Sequence, residues 1–436
     1  MKAEVTGSSP AYHPKMLKST MNQSNTKPQT LKGFRDFLPA EMAVRNYVKN
    51  TLTQVFENFG FLPLETPALE YASILKGKYS NETDDKLGYF FKDNGEREIG
   101  LRYDLTVPTA KVLAIYSNQI QLPFRRYQIQ PVWRAENTQK GRYREFLQCD
   151  IDIFGSSSPI TDAEIISLIY TGTQKLNFKN AIISINSRSV LSAILTQSGV
   201  EKDTNLVLQS LDKLGKIGEL GVKSELNSKG LSDTQITALF KYIKEAQPDE
   251  NLKQVFAKLK YLDVPDNAYK FDPTLVRGCD YYTGTIFEVS VTEPKVGAIG
   301  GGGRYDNLVA TLGGPQIPAV GFSFGFERLV DVIQELNLFP QTSQSNTKIL
   351  VANFGSETEK NILNLVSKLR DQNISSIVYP DADKLGKQIK YATSLNIPYL
   401  AIIGTDEAKN NQITLKNLET TEQKTISFDE LVKIML

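Results

Sequence analysis

Histidine is almost missing: the 436 residues contain one, His13, in a polar N-terminal stretch. Ser-His-Asp and Cys-His nucleophile systems, H-E-x-x-H zinc sites and histidine general bases all need an imidazole inside a folded domain, so none can be assembled. Cysteine is nearly as scarce: only Cys149 and Cys279 occur, far apart and in no C-x-x-C pattern. That removes thiolate zinc sites and disulfide-stapled modules and fits a reducing compartment. No apolar run approaches the roughly 18 residues that a membrane-spanning helix needs. Charge of one sign is lacking too. With 50 Lys+Arg against 49 Asp+Glu, any contact with nucleic acid must come from local basic patches. Neither G-x-x-x-x-G-K-S/T nor G-x-G-x-x-G occurs, so phosphates, if handled, fall to arginine.

The length predicts two to four folded units. Residues 1–30 are rich in Ser, Thr, Asn, Gln and Lys and have no apolar core of a secretory signal, and they read as a flexible tail. Glu4 is their one acidic residue, as in a transit peptide, but no arginine precedes Arg35; the reading is cytoplasmic. Apolar residues recur at steps of three and four from Glu41 to Phe59 (Val44, Tyr47, Val48, Leu52, Val55, Phe56, Phe59), and Gly60 follows, which predicts an amphipathic helix. Phe61–Thr66 reads as a strand ending at Pro67. Ser187 to Asp263 is helical in pattern and reads as an insertion. Strand signals return at Thr285–Val291, a glycine run follows at Gly300–Gly303, and Gly321, Gly325, Glu327 and Arg328 open a helical segment. Beyond a polar linker near Gln341–Thr347, apolar runs alternate with helical segments, which predicts a compact, mostly parallel α/β domain.

Two alternating runs carry the first chemical signal. In Arg126–Arg134 and Phe146–Phe154, Arg126, Gln128, Gln130, Arg134, Gln148, Asp150 and Asp152 fall on one face, while Ile129, Trp133, Cys149, Ile151 and Ile153 fall on the other. Period two predicts an antiparallel hairpin with an apolar back and a wet, charged front. Its connection, Ala135–Glu145, is longer than a hairpin requires and holds Glu136, Lys140, Arg142 and Arg144. Forked guanidinium donors suit phosphate, and neighbouring carboxylates suit an ammonium or imidazole. The charges alone fit a solvated, salt-bridged hairpin equally well. A second cluster, Arg277-Gly-Cys-Asp-Tyr-Tyr-Thr-Gly284, has more polar and aromatic groups than a turn needs, though a packed tyrosine-rich turn also accounts for it. The third, Gly300-Gly-Gly-Gly-Arg-Tyr-Asp306, allows close backbone approach to a ligand, or simply a bulge.

In this order the segments resemble the histidyl-tRNA synthetase family of class II aminoacyl-tRNA synthetases, from about Leu31 to the C-terminus. Phe61-Leu-Pro-Leu-Glu-Thr-Pro67 resembles motif 1. Trp133-Arg-Ala-Glu136 through Gln139-Lys-Gly-Arg-Tyr-Arg-Glu-Phe146 resembles motif 2, and Gly321-Phe-Ser-Phe-Gly-Phe-Glu-Arg328 resembles motif 3. Leu275–Gly284 and Gly302–Asp306 are similar to two histidine-specific signatures. Leu101-Arg-Tyr-Asp-Leu-Thr106 resembles the eukaryotic and archaeal-like form of its segment, with Asp104 in place of a longer glutamate, and Cys279 stands where leucine is usual.

The resemblance implies an α+β fold: an antiparallel-sheet catalytic domain over 31–340, with the helical insertion at about 187–263, and an α/β anticodon-binding domain over 346–436. It implies ATP-dependent ligation of L-histidine to tRNA(His) through histidyl-adenylate, in a homodimer. Carried over by motif, Arg134 and Arg277 are the catalytic cations, with Arg134 on the α-phosphate and Arg277 between that phosphate and the carboxylate. Glu136 and Phe146 read and stack on adenine, and Arg142 and Arg328 hold the nucleotide's phosphates and base. Asp104, Thr106 and Gln148 hold the amino group; Asp152, Tyr282 and Tyr305 form the imidazole pocket; Gln139 approaches the tRNA acceptor end. No protein metal cage is implied, and Mg2+ arrives with ATP. Lys384, Lys387 and Lys390 offer a phosphate-contacting stripe or an ordinary solvated helix face. A rival reading is a non-catalytic, histidine-sensing regulatory paralogue, against which Arg134, Arg277, Arg328 and the C-terminal segment argue.

Overall fold

The computed structural model describes residues 27–76, 87–138, 141–277, 281–293, 297–340 and 347–436. His13, most of the expected N-terminal tail, and Gln139 and Cys279 lie outside them.

The first helix spans Pro39–Asn58. Proline enters at the helix start without losing an N–H bond, and the Glu41 side chain accepts the Leu38 N–H at 3.1 Å. Val44, Val48, Leu52, Val55 and Phe56 are its buried stripe, each worth about 1.5–3 kcal/mol when fully buried. Gly60, at φ +77°, lets the chain reverse behind it.

The strands are β1 Leu62–Pro63, β2 Leu69–Tyr71, β3 Tyr89–Lys92, β4 Glu98–Leu101, β5 Phe124–Trp133, β6 Glu145–Phe154, β7 Ala181–Ser187, β8 Tyr269–Phe271, β9 Thr285–Val291, β10 Ala298–Arg304, β11 Ala319–Phe324, β12 Ile349–Val351, β13 Ser376–Val378, β14 Tyr399–Ile402, β15 Ile413–Asn417 and β16 Gln423–Ile426. The central sheet has the order β1-β5-β6-β11-β10-β9-β7-β8. Its six inner strands pair antiparallel, and a parallel strand closes each edge. The expected Phe61–Thr66 strand shrinks to Leu62–Pro63 because Pro63 has no donor for a longer ladder; the path continues through Leu64 N–H to Tyr127 O and Thr66 N–H to the Gln130 side chain.

One apolar core lies behind this sheet. It joins Val48 and Leu52 of the first helix, Cys149, Ile151 and Ile153 of β6, and Ile165 and Ile169 of the helix Pro159–Lys175. Gly172 permits the contact: a Cβ there would press on Leu52 and Phe324 at 3.3 Å. Between β7 and β8 the chain forms the helices Arg188–Gln197, Thr204–Leu211, Leu214–Ser228, Asp233–Glu245 and Glu250–Tyr261. Their buried residues belong to that same cluster, so the insertion is packed onto the sheet's core rather than built around a core of its own.

The second sheet has the order β13-β12-β14-β15-β16. It corrects the mostly parallel expectation: β13, β12 and β14 are parallel, but β15 and β16 add on antiparallel. Asn417–Glu422 links those last two strands as a tight hairpin, and a tight hairpin joins only antiparallel neighbours. Among the described residues no helix is long and apolar enough to cross a membrane.

Candidate active site

Motif by motif, the hairpin comes first. Its cross-strand register sets Arg126 opposite Asp152, Gln128 opposite Asp150 and Gln130 opposite Gln148. The polar face is therefore continuous across both strands, but it is not wet. Arg126, Gln128, Gln148, Asp150 and Asp152 are all buried, and Gln148, Asp150 and Asp152 line a cavity of about 600 Å³. The expectation of a solvated front is overturned because other elements close over it, bringing Tyr281, Tyr282, Tyr305 and the glycines of β10 into the same cavity wall.

The glycine run serves that closure. Gly300–Gly303 lies inside β10, not after a strand. A Cβ on Gly302 would strike the Phe322 backbone at 2.7 Å, and one on Gly303 would reach Thr285 O at 2.6 Å. At Gly301 the obstacle is the Arg277 guanidinium, 2.6 Å away at Nη2. Glu288 faces Gly301 across the β9–β10 ladder and accepts from Arg277 Nη1 at 2.8 Å. Arg277 thus lies flat over the gap left by a missing side chain. Gly321 also belongs to a strand, β11, and the helix that motif 3 opens begins only at Phe326. That corrects the expected helical start.

Every predicted site residue among the described ones lines this cavity. Arg134 and Arg277 face it together, as do Glu136, Arg142, Phe146 and Arg328. Asp104, Thr106, Gln148, Asp152, Tyr282 and Tyr305 complete the wall; Gln139 falls outside the described residues. Arg134 Nε donates to Tyr103 O at 3.0 Å, and its guanidinium sits 5.1 Å from the Phe146 ring centre. Arg142 and Glu136 pair at 2.6 Å. Arg328 donates to Ala298 O. Asp104 Oδ1 accepts the Val107 N–H at 3.1 Å. Arg144, which the sequence groups with the loop cations, turns instead to the carbonyls of Glu136 and Lys32, and Arg304 turns to Asp162 at 2.5 Å.

The cavity carries charge of both signs. Asp152 takes Arg126 at 2.5 Å and the Tyr305 hydroxyl, and Asp150 takes Gln148 Nε2 at 2.9 Å. Burial drives the Asp150 carboxyl up to about 7, against the pull of Arg126 and with a further push from Asp152. Burial also raises Asp152, although Arg126 and the Tyr305 hydroxyl oppose it. Burial and then the Asp152 charge push the Tyr305 phenol well up, so it donates to Asp152 as a neutral group. These groups offer carboxylates and hydroxyls to a cationic or imidazole-like group. Arg134, Arg142, Arg277 and Arg328 line the same cavity and suit an anion. Among the described residues no group of three or more His, Cys, Asp or Glu side chains could hold a metal ion.

Motif reading passed over three contributors. Arg126 and Asp150 are visible in the period-two pattern, but only the cross-strand register shows that they neutralise and crowd one another. Glu327 holds the scaffold together: it accepts from Arg45 at 2.6 and 2.8 Å, from Arg35 at 2.5 Å and from the Leu147 N–H at 3.2 Å. Arg35 also lies over the Tyr143 ring, 3.3 Å from its centre. No local pattern links residues so far apart in the chain.

The model of the family described as histidyl-tRNA synthetase matches residues 33–329, and that of the anticodon binding domain matches 348–436. A histidine–tRNA ligase of Cytophaga hutchinsonii is 40% identical over 448 residues, spanning 93% of this chain and 99% of its own. The crystal structure of histidyl-tRNA synthetase from Nostoc sp. PCC 7120 superposes with a TM-score of 0.82 at 30% identity, covering 94% of this chain and 100% of that one. A Bacillus halodurans protein described as an ATP phosphoribosyltransferase regulatory subunit/histidyl-tRNA synthetase shares the fold at 21% identity and a TM-score of 0.70, covering 87% of this chain and 100% of its own. With an antiparallel sheet carrying the motif residues into one cavity and a relative this similar along nearly its whole length, the chain belongs to the histidyl-tRNA synthetase family of class II aminoacyl-tRNA synthetases.

Proposed function

We propose that this enzyme activates L-histidine with ATP and transfers the histidyl group to tRNA(His). The observation that carries the reading is a single cavity lined both by buried carboxylates and tyrosine hydroxyls and by four arginines, Arg134, Arg142, Arg277 and Arg328. A histidine carboxylate oxygen attacks the α-phosphorus of ATP, the bond from that phosphorus to the bridging oxygen breaks, and pyrophosphate leaves. A ribose hydroxyl of the tRNA 3′ end then attacks the carbonyl carbon, its proton passes to a phosphate oxygen of the departing AMP, and AMP leaves. The nucleophile in the first step is already ionised at neutral pH, so no general base is required and the absence of a core histidine costs nothing. What needs stabilising is charge on the five-coordinate phosphorus, the work of fixed cations.

In this reading Arg134 holds the α-phosphate and Arg277 bridges that phosphate and the substrate carboxylate. Glu136 and Phe146 take adenine, and Arg142 and Arg328 take the remaining phosphates and the base edge. Asp104, Thr106 and Gln148 receive the ammonium; Asp152, Tyr282 and Tyr305 receive the imidazole; Gln139 meets the tRNA end. A wrong amino acid would forfeit the contacts that an imidazole makes with the buried Asp152 and Tyr282, which is how a polar pocket discriminates strongly. Mg2+ would arrive with ATP and would supply neutralisation of phosphate charge beside these arginines. The catalytic unit extends over 31–340 with its insertion at about 187–263, the anticodon-binding unit over 346–436, and the enzyme works in the cytoplasm. Leu62, Leu69 and Tyr71 are 59%, 44% and 55% exposed around the motif 1 segment, which supports a homodimer.

The test is amino-acid-dependent pyrophosphate exchange across all twenty substrates, followed by charging of tRNA(His). Exchange with histidine alone and charging of that tRNA are expected. Histidine binding without exchange would overturn the reading in favour of a sensing paralogue.

A further inference from the structure

Gln148 presents an unusual loose end. The residue is 8% exposed, its Nε2 donates to Asp150 Oδ2 at 2.9 Å, and its Oε1 has no hydrogen-bond partner among the described residues. The amide facing Asp150 does not supply one. Gln128, the cross-strand neighbour of Asp150, is already committed to Thr66 and Gln130 through its Nε2 and to Thr109 through its Oε1. The direction of the Gln148 amide is a matter of chemistry. An ionised carboxylate only accepts hydrogen bonds, so a glutamine against it must offer its NH2 and turn its carbonyl oxygen the other way. Gln148 lines the cavity, and its Oε1 is buried in that wall. A buried acceptor without a donor is costly unless a ligand brings the donor.

Resting on the histidine-activating reading, we infer that Asp150 is a positioning residue for the substrate's ammonium: it fixes the Gln148 amide so that Oε1, not the NH2 group, faces the cavity. The groups facing Asp150 fit this role. Arg126 and Gln128 approach from β5, Ser323 from β11, Asp152 and Gln148 from its own strand, and Asp104 from the segment before the helix Thr106–Tyr116. None of them replaces the acceptor that Gln148 Nε2 needs. Once Asp150 is protonated, or becomes asparagine, it can donate to Oε1, and the amide is free to turn its NH2 toward an ammonium that it repels.

The experiment is a double-mutant cycle with Asp150→Asn and Gln148→Ala. Its probes are histidinol, which keeps the ammonium, and imidazolepropionate, which lacks it. Asp150→Asn should raise the inhibition constant of histidinol about tenfold, the order expected for one hydrogen bond to a charged group, and leave that of imidazolepropionate within about twofold. In the Gln148→Ala background the same change should cost nothing further. An equal cost in both backgrounds would show Asp150 acting by its charge alone, and equal weakening of both probes would show general damage to the pocket; either overturns the inference. A second measurement needs only the wild type: the ratio of the two constants should rise as pH falls through about 7, where Asp150 takes up its proton. The two imidazoles titrate at different pH, so each constant is first corrected for its own probe's ionisation; a flat corrected ratio also refutes the idea. If the wild type lacks histidine-dependent exchange, the proposed function itself falls; if it is active and the cycle is additive, only this inference does.

Discussion

Replacing Gly301 with alanine should disable the enzyme without destabilising it, because the three atoms nearest the added methyl all belong to the Arg277 guanidinium. Its Cβ would stand 2.6 Å from Nη2 and closer still to Nη1 and Cζ, so the guanidinium must leave its place over β10. Two terms bear on stability. The Arg277–Glu288 pair is partly exposed on both sides, 24% and 33%, and its loss costs at most about 1 kcal/mol. Exchanging glycine for alanine at an ordinary strand position returns about 0.4–1 kcal/mol through the unfolded chain. They cancel, leaving the melting temperature nearly unmoved. The catalytic cost is of another size. A preorganised donor removed from a developing charge costs about 2.7–4 kcal/mol, or roughly a hundred- to a thousandfold in rate. Single-turnover formation of histidyl-adenylate by Gly301→Ala, Arg277→Ala and the double variant tests this. Each single change should fall into that range, and the double should be no slower than Arg277→Ala. A Gly301→Ala enzyme within about threefold of wild type, or a double variant slower by a further tenfold, would refute the assignment of Arg277 to the reacting phosphate.

Arg126→Met should destabilise the fold by about 3–5 kcal/mol in denaturant titrations at pH 8, since it strands two buried carboxylates. Asp150 binds a proton in the fold but not in the unfolded chain between its ordinary range and about 7; its contribution is fully present below that range and is lost as pH rises through about 7. Asp150→Asn should therefore flatten the decline in stability between pH 6 and 8 that the wild type shows. At Glu327 burial raises the carboxyl, but Arg45 and then Arg35 outweigh it and hold it below its ordinary value. Its contribution is present above the ordinary value and is lost as pH falls through the lowered one, so Glu327→Gln should cost about 3–5 kcal/mol at pH 7 and show a weaker acid transition. Phe146→Ala should raise the KM for ATP about tenfold or more, as expected for losing a base-stacking ring, and leave the KM for histidine unchanged.

Where periodicity decided burial, the sequence was sufficient. The stripe Val44–Phe56 needed only its spacing, and the hairpin's two faces needed only alternation. What alternation cannot report is whether a polar face meets water or other protein. Asp150 and Asp152 look like surface residues along the chain and become buried because β10, β11 and the tyrosines converge on them from more than a hundred residues away. Gly300–Gly303 was ambiguous for a related reason: a glycine run marks a close approach without naming what approaches, and here the visitors are Arg277, Phe322 and the Thr285 carbonyl. The Arg35–Glu327–Arg45 cluster was invisible, since each charge is ordinary in its own segment and only the packing of the first helix against motif 3 makes them one unit. Gln148 shows the limit most sharply. Its identity fits an ammonium contact, but which end of the amide does the work depends on a carboxylate two residues along the strand.

That dependence also explains how one strand can serve both halves of the substrate. The residues Phe146, Gln148, Asp150 and Asp152 point the same way along β6, and six steps at about 3.3 Å extend roughly 20 Å, the scale of an amino acid joined to a nucleotide. Arg134, held by the Tyr103 carbonyl beside Phe146, stands at the end proposed for the nucleotide, and Arg126 sits opposite Asp152 at the other. The two cations act differently because their surroundings differ. Arg126 is buried and spent on balancing carboxylates, so it leaves the acidic end net negative and receptive to a cation; Arg134 keeps its forked face open to an anion. A rigid strand sets the distance between the two, so the carboxylate of a bound histidine is delivered to the phosphate by geometry rather than by a proton-transfer residue.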